Sequence, residues 1–479
     1  MLFNSLEFAV FLPLVVGLYF CLPSRYRTPM LLIASCIFYM AFIPVYILIL
    51  FVTITIDYVA GIYVERTNGP GRRAWLVGSI ICTCAVLFVF KYFDFFTGNF
   101  VGLAHLVGWQ LPKPVVNIIL PIGLSFHTFQ SLSYVVEVYR GRQKAEYNVV
   151  TYATYVMFFP QLVAGPIERP QNLLHQFYEK HDFDYERVTA GLKRMAWGFF
   201  KKLVIADRLA LYVNDVYADP RNFNGLQLSI ATVFFAYQIY CDFSGYSDIA
   251  IGGAQILGFK LMENFKNPYH ARSIPEFWRR WHISLSSWFR DYVYVPVGGS
   301  QSGIRRWLLA VMITFAVSGL WHGANWTYIA WGVLNGFYLL VGTATKGWRD
   351  RVFGLIGLHR ETLLRQTIML VSTFVLTLLG WIVFRARNME DAWYVVTHFA
   401  QGWDFHQIGT EQFLLRQLPI AVASIILLEM AQLLHGKVSV PSLLTRLPIA
   451  PRWALYAGFV MVVVMFGIYQ KTQFIYFQF

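Results

Sequence analysis

The 479-residue chain is 57% hydrophobic and only 14% charged, against roughly 25% charged residues in an average soluble domain. A surface of that composition cannot be solvated on all sides, which excludes a soluble globular enzyme and makes the chain a polytopic integral membrane protein. The net charge of +13 lies in loops between apolar runs, a pattern of basic loops on one membrane side and anionic headgroup contact rather than nucleic-acid binding.

Apolar runs near the length of about 20 residues that crosses a bilayer can be marked at 6–23, 29–44, 45–64, 74–96, 115–138, 148–165, 203–217, 226–257, 308–320, 323–345, 366–384, 417–435 and 453–470. Some are too short or too polar to cross alone. The expected fold class is therefore an all-α polytopic membrane protein with roughly ten or eleven crossings, plus re-entrant and interfacial helices around a central chamber. The 15 Trp and 28 Tyr suit the two membrane–water boundaries. No block repeats at a fixed period and no soluble appendage is visible, so residues 1–479 are expected to form a single domain.

The N-terminal MLFNSLEFAVFLPLVVGLYFCLP lacks the basic start and small-residue cleavage site of a signal peptide and is expected to stay as the first span. Arginine excess in SRYR, ERTNGPGRR and YRGRQK places those loops in the cytoplasm and the N-terminus outside. The polar insertion 168–202 should lie on the cytoplasmic side too, its second half an amphipathic interfacial helix with Lys193, Arg194, Lys201 and Lys202 beside Trp197, Phe199 and Phe200. The basic loop at 346–365 fits the same side. Arg385 and Arg387 do not, so the last three spans stay open. LPIGLSF at 120–126 and FFPQLVAGPIERP at 158–170 read as helices broken by proline. Non-helical backbone at membrane depth must line a cavity or pack in protein, and these pieces hint at an internal chamber.

The densest chemistry lies between Ser273 and Trp326. Ser273, Pro275 and Glu276 read as a capping box opening a helix that runs toward Gly298 and Gly299. On that helix Trp278, Trp281, Leu285 and Trp288 share one stripe by three-and-four spacing, with His282 beside it. His282 is either a packing histidine or a functional one, and spacing does not separate the two. His322 is the sharper signal: it lies about 25 Å of helical rise beyond Arg305, and an ionisable group inside a membrane is a functional candidate by default. Gly319 and Gly323 flank it and allow backbone or substrate to approach, with Asn325 three residues on. Asp242 and Asp248 in YQIYCDFSGYSDIAIGG could orient a histidine or, more blandly, pair with an internal cation, while Gly245, Gly252 and Gly253 permit close helix contact. His127, Cys241 and the chain end FIYFQF read as packing.

Several chemistries lack their hardware. The five cysteines show no metal-ligand spacing, so neither a zinc site nor a disulfide framework is expected. There is no HExxH, P-loop, GxGxxG after a strand, or GxSxG.

EFWRRWHISLSSWFRDYVYVPVGGS and SGLWHGANW, with LPIGLSFHTFQSLSYVVEVYRG, FFPQLVAGPIERPQNLL and YCDFSGYSDIAIG, make the chain closely resemble the membrane-bound O-acyltransferase family over nearly its whole length. The resemblance implies a ring of helices around a thin centre, where a cytoplasmic cavity meets an extracellular funnel. It matches His322 to the family's catalytic histidine and His282 to its second, upstream histidine. It implies no bound cofactor, but a cytoplasmic thioester donor such as acetyl-CoA. The acyl group would pass to an exopolysaccharide hydroxyl or a periplasmic SGNH-type acetyltransferase partner, which places the chain in the bacterial inner membrane. For that chemistry His322 would be the general base, Asn325 or a backbone N–H near Gly323 an oxyanion donor, and Asp242 an orienting acid. Arg279, Arg280, Lys201 and Lys202 would be candidates for the donor's phosphates. Acceptors in cellulose, peptidoglycan or teichoic acid remain open alternatives. So do a transporter or flippase without bond chemistry, and a scaffold that only docks an acetylating partner.

Overall fold

A computed structural model describes residues 1–112, 120–301, 303–404, 412–435, 447–469 and 474–475. The first residues of the expected 115–138 span and the last four of FIYFQF lie outside them. Among the described residues every regular element is helical. The chain is an all-α polytopic membrane protein. Among the described residues six helices are long and apolar enough to cross a bilayer: Pro44–Arg66, Gly69–Leu106, Gly303–His322, Leu363–Arg385, Arg416–Leu434 and Ile449–Phe466. Others, such as Gly225–Leu257, carry their polar residues inward against protein.

The bundle holds two aromatic-rich cores. One gathers the N-terminal helices with Trp288, Phe289 and Trp321. The other gathers Phe235, Phe277, Trp281, Trp331, Trp381 and Phe384. The 33-residue Gly225–Leu257 helix, about 50 Å long at 1.5 Å per residue, contributes to both. It is capped by a reciprocal Asn224–Gln227 box at one end and by left-handed Gly258 at the other.

Against that rod lies a correction to the sequence expectation. Residues 185–218 form one continuous helical stretch instead of two separate elements. Tyr185–Phe199 continues through a π-helical stretch, Phe200–Ala206, into Asp207–Ala218. Glycines set the packing: a Cβ on Gly191 would sit 2.7 Å from the Gly252 carbonyl oxygen, and one on Gly198 2.6 Å from that of Gly245. Neither gap accepts a methyl, so the two backbones touch there. Gly253 faces open space instead.

The proline-broken segments are present, and they pack on each other. Val149–Met157 stops at Phe158 and restarts as Phe159–Leu162. Gly123, at φ 78°, opens Leu124–Tyr139, and a Cβ on it would meet the Leu162 carbonyl at 2.7 Å. Side chains satisfy the interrupted backbone: Ser35 Oγ accepts from Phe159 N–H at 3.0 Å, and the amides of Gln130 and Gln161 donate to Tyr155 O at 2.6 and 2.9 Å.

The basic loops gather at one end of the bundle. Arg27 donates to His181 O at 2.6 Å, Arg72 to Tyr139 O at 2.6 Å and Arg140 to Asp291 O at 3.0 Å. Arg385 lies at the opposite end, where it donates to Asn214 Oδ1 at 2.8 Å and stacks over Tyr217. That pairing explains why it escapes the loop-charge pattern.

Candidate active site

Ser273 caps its helix as expected, accepting from Glu276 N–H at 3.3 Å, although Glu276 reaches Arg272 N–H rather than the cap. The helix does not run on to Gly298. It stops at Arg280, and His282 adopts φ 43°, ψ 55° before a second helix, Ile283–Phe289, begins. A left-handed non-glycine residue costs about 1–2 kcal/mol, so something must hold it. That something is Asn264, which no sequence signal had marked. Its Oδ1 accepts from His282 Nδ1 at 3.1 Å, from Ser284 N–H at 3.3 Å and from Ser284 Oγ at 2.9 Å. Its backbone carbonyl takes Ile283 N–H at 2.9 Å, and its Nδ2 donates to Ser247 Oγ at 3.2 Å.

The break divides the expected tryptophan stripe. Trp281 joins one core, while Leu285 and Trp288 join the other. His282 thus sits at the seam, 1% exposed, with Phe243 edge-on at 4.5 Å and Trp321 at 6.3 Å between ring centroids.

His322 occupies the same seam from the other side. It is the last residue of Gly303–His322 and 3% exposed, between Trp321 of the first core and Trp331 and Phe384 of the second. Its Nδ1 lies 2.6 Å from Ser318 O. A carbonyl only accepts, so Nδ1 carries the proton and Nε2 is the basic nitrogen. The same logic applies to His282 against the Asn264 carbonyl oxygen.

The helix end that carries His322 leaves four carbonyls beyond the reach of its own backbone, and each is met. Gly323 N–H reaches Gly319 O at 3.4 Å. Tyr92 OH donates to Leu320 O at 3.1 Å, and Lys91 Nζ to Trp321 O at 2.6 Å and His322 O at 3.3 Å. Lys91 and Tyr92 close a π-helical stretch, Phe88–Tyr92, inside the Gly69–Leu106 span. Sequence reasoning passed over Lys91, yet a lone lysine in an apolar run is a readable signal. The same holds for Asp57, fully buried in Pro44–Arg66 and bonded to the hydroxyls of Ser79, Thr83 and Ser131.

The remaining candidates are placed otherwise than expected. Gly319 and Gly323 admit protein, not substrate, since Tyr328 fills the space beside both. Asn325 is the N-cap of Trp326–Ala344, accepting from Thr327 N–H at 3.1 Å while its amide donates to Arg387 O at 3.1 Å. Its geometry is that of a cap joining two loops, not of a donor aimed at a reacting oxygen.

Asp242 does not orient a histidine. Its two oxygens take Lys202 Nζ at 2.6 Å and Ile475 N–H at 2.7 Å. Lys202 also pairs with Asp207 at 2.8 Å, and Lys201 with Asp248 at 2.5 Å. Both lysines are buried and paired inside the bundle, because the glycine contacts pull residues 185–218 into it, and neither is offered to an incoming phosphate. Arg280 is held by Glu276 at 2.6 Å, whereas Arg279 is exposed. No group of three or more His, Cys, Asp or Glu among the described residues could hold a metal ion.

The helical membrane bundle thus holds two buried, oriented imidazoles at the seam between its cores. Residues 84–365 match the membrane-bound O-acyltransferase family. The probable alginate O-acetylase AlgI of Pseudomonas aeruginosa is 39% identical over 398 residues, covering 82% of this chain and 74% of the relative. A peptidoglycan O-acetyltransferase of Helicobacter pylori is 32% identical over 82% of this chain and 78% of its own length. A teichoic acid D-alanyltransferase of Bacillus subtilis is 26% identical, over 65% and 77% respectively. The chain belongs to the membrane-bound O-acyltransferase family and is an O-acyltransferase, which sets aside the flippase and the passive scaffold.

Proposed function

We propose that this protein, as a single membrane domain, moves acetyl groups from a cytoplasmic thioester donor, acetyl-CoA in the first instance, across the bacterial inner membrane. The acceptor is an alginate-like exopolysaccharide hydroxyl or a periplasmic SGNH-type acetyltransferase that passes the group on. The observation that carries the reading is His322, an imidazole with its proton on Nδ1 at the end of a 20-residue helix. That helix places it about 28 Å from the helix start at the basic loop. The similarity to an alginate O-acetylase supports a polysaccharide acceptor. The clustering of basic loops supports a cytoplasmic face at that end and a periplasmic N-terminus.

In the proposed step His322 Nε2 takes the proton of the acceptor hydroxyl. The oxygen bonds the thioester carbonyl carbon, the carbon–sulfur bond breaks, and His322 Nε2 passes the same proton to the departing thiolate, which leaves as a thiol. A positioned base contributes about 10²–10⁴-fold. His282 positions the donor from the basic-loop side. The donor's phosphates would meet exposed Arg279 or the arginines near Tyr292, where Arg140, Arg142, Arg169 and Arg290 outnumber their partners Glu137 and Asp291.

The test is transfer of radiolabelled acetyl from acetyl-CoA by purified protein in lipid nanodiscs. Each acceptor class is offered in turn: alginate, peptidoglycan and an SGNH-type protein. Label on one acceptor, lost in His322→Ala, is expected. Label on none of them would overturn the donor–acceptor pair.

A further inference from the structure

We infer that Lys91 is the positioning residue for His322. The inference rests on His322 being the reacting imidazole. Three observations carry it. Lys91 bonds the carbonyls of Trp321 and His322 themselves, from a helix more than 200 positions away in the chain. Its neighbour Tyr92 takes the preceding carbonyl, Leu320 O, so two consecutive side chains close the last turn of the histidine's helix. Those side chains arrive through a π-helical stretch, Phe88–Tyr92, a local distortion that recurs at functional sites. An α-helical continuation would rotate Lys91 and Tyr92 differently against that helix end.

The physical need is specific. His322 is held by a bond from its own Nδ1 to Ser318 O, one turn back. That bond keeps its aim only while the last turn keeps its pitch, and a helix terminus frays when its carbonyls lack partners. Lys91 supplies two N–H donors to the last carbonyls of the helix. It also lies over the Trp321 ring, 5.7 Å from its centroid, which fixes the indole that separates His322 from the His282 side. Lys91 therefore acts through His322 and Trp321, not on substrate.

The experiment compares Lys91→Met, Lys91→Arg and Tyr92→Phe in nanodiscs by two readouts. The first is imidazole nitrogen NMR of histidine-labelled protein, with the His322 signal assigned by difference from His322→Gln. Wild type and Lys91→Arg should show the Nδ1–H tautomer alone, and Lys91→Met a mixture of tautomers. The second readout is steady-state transfer. Lys91→Met should lose about 10²-fold in kcat with donor KM unchanged, the scale of a misaimed group. Lys91→Arg should recover most of that loss, and Tyr92→Phe should lose less than Lys91→Met.

A pure Nδ1–H signal with wild-type kcat in Lys91→Met would overturn the inference. So would equal losses in the Met and Arg variants with an unchanged tautomer. The NMR readout needs no acetyl transfer, so it decides the role of Lys91 even where the proposed donor or acceptor is wrong. If Lys91→Met does not fold, Lys91→Gln takes its place in both readouts, with the same result expected and the same result overturning the inference.

Discussion

The two buried histidines are held by opposite means. His282 stands in a left-handed turn that its own backbone disfavours, pinned by the carboxamide of Asn264. His322 stands on an ordinary helix end and bonds its own backbone, while a distant lysine and tyrosine close the last turn. The difference separates two jobs. A disfavoured turn persists only while the asparagine's several hydrogen bonds hold it, so disturbing those bonds should cost stability. A capped helix end costs little to build and mainly fixes an angle, so disturbing it should cost rate.

The contrast breaks most sharply at His322. Replacing it with Ala should lower acetyl transfer by about 10²–10⁴-fold, with the protein still accumulating in the membrane. Normal turnover by the purified variant would remove it as the base. Next comes Asn264→Ala, which strips the acceptor from His282 Nδ1 and from both Ser284 donors. Thermal unfolding in detergent should show a loss of about 1–3 kcal/mol, with transfer impaired as well; wild-type stability would mean the turn is held by something else. A finer cut compares His282→Gly with His282→Ala. Glycine relieves the left-handed backbone and should be the more stable of the two by about 1 kcal/mol, while both lose transfer. If glycine restored activity, His282 would be a turn residue and nothing more. The smallest effect is expected at Asn325→Ala: about 1 kcal/mol for the lost cap, with transfer near wild type. A collapse of kcat there would restore the oxyanion role that the geometry does not support.

Much of this architecture was legible in the chain. Composition required a membrane, the long apolar runs gave helices, and Ser273 and Gly298 marked where the central segment starts and stops. The two WH motifs pointed to the imidazoles. What the sequence misjudged was direction and pairing. A continuous helix from Ser273 was the natural expectation, because propensity shows no reason for a break at Trp281–His282. Lys201 and Lys202 looked like interfacial cations, because Asp242 and Asp248 lie far along the chain and only Asp207, also bonded to Lys202, is near in sequence.

Local chemistry therefore settled which segments are helical and which residues are chemically unusual, since periodicity, caps and desolvation act over a few residues. Folding alone decided which carbonyl each imidazole meets, which lysines are neutralised and where the helix of His322 is capped. Each of those depends on groups brought together from far along the chain. In a lipid-embedded bundle an unpaired polar group costs several kcal/mol, so the contacts that pair Lys202, Asp242, Asn264 and the carbonyls beside His322 weigh heavily in selecting the arrangement of the site.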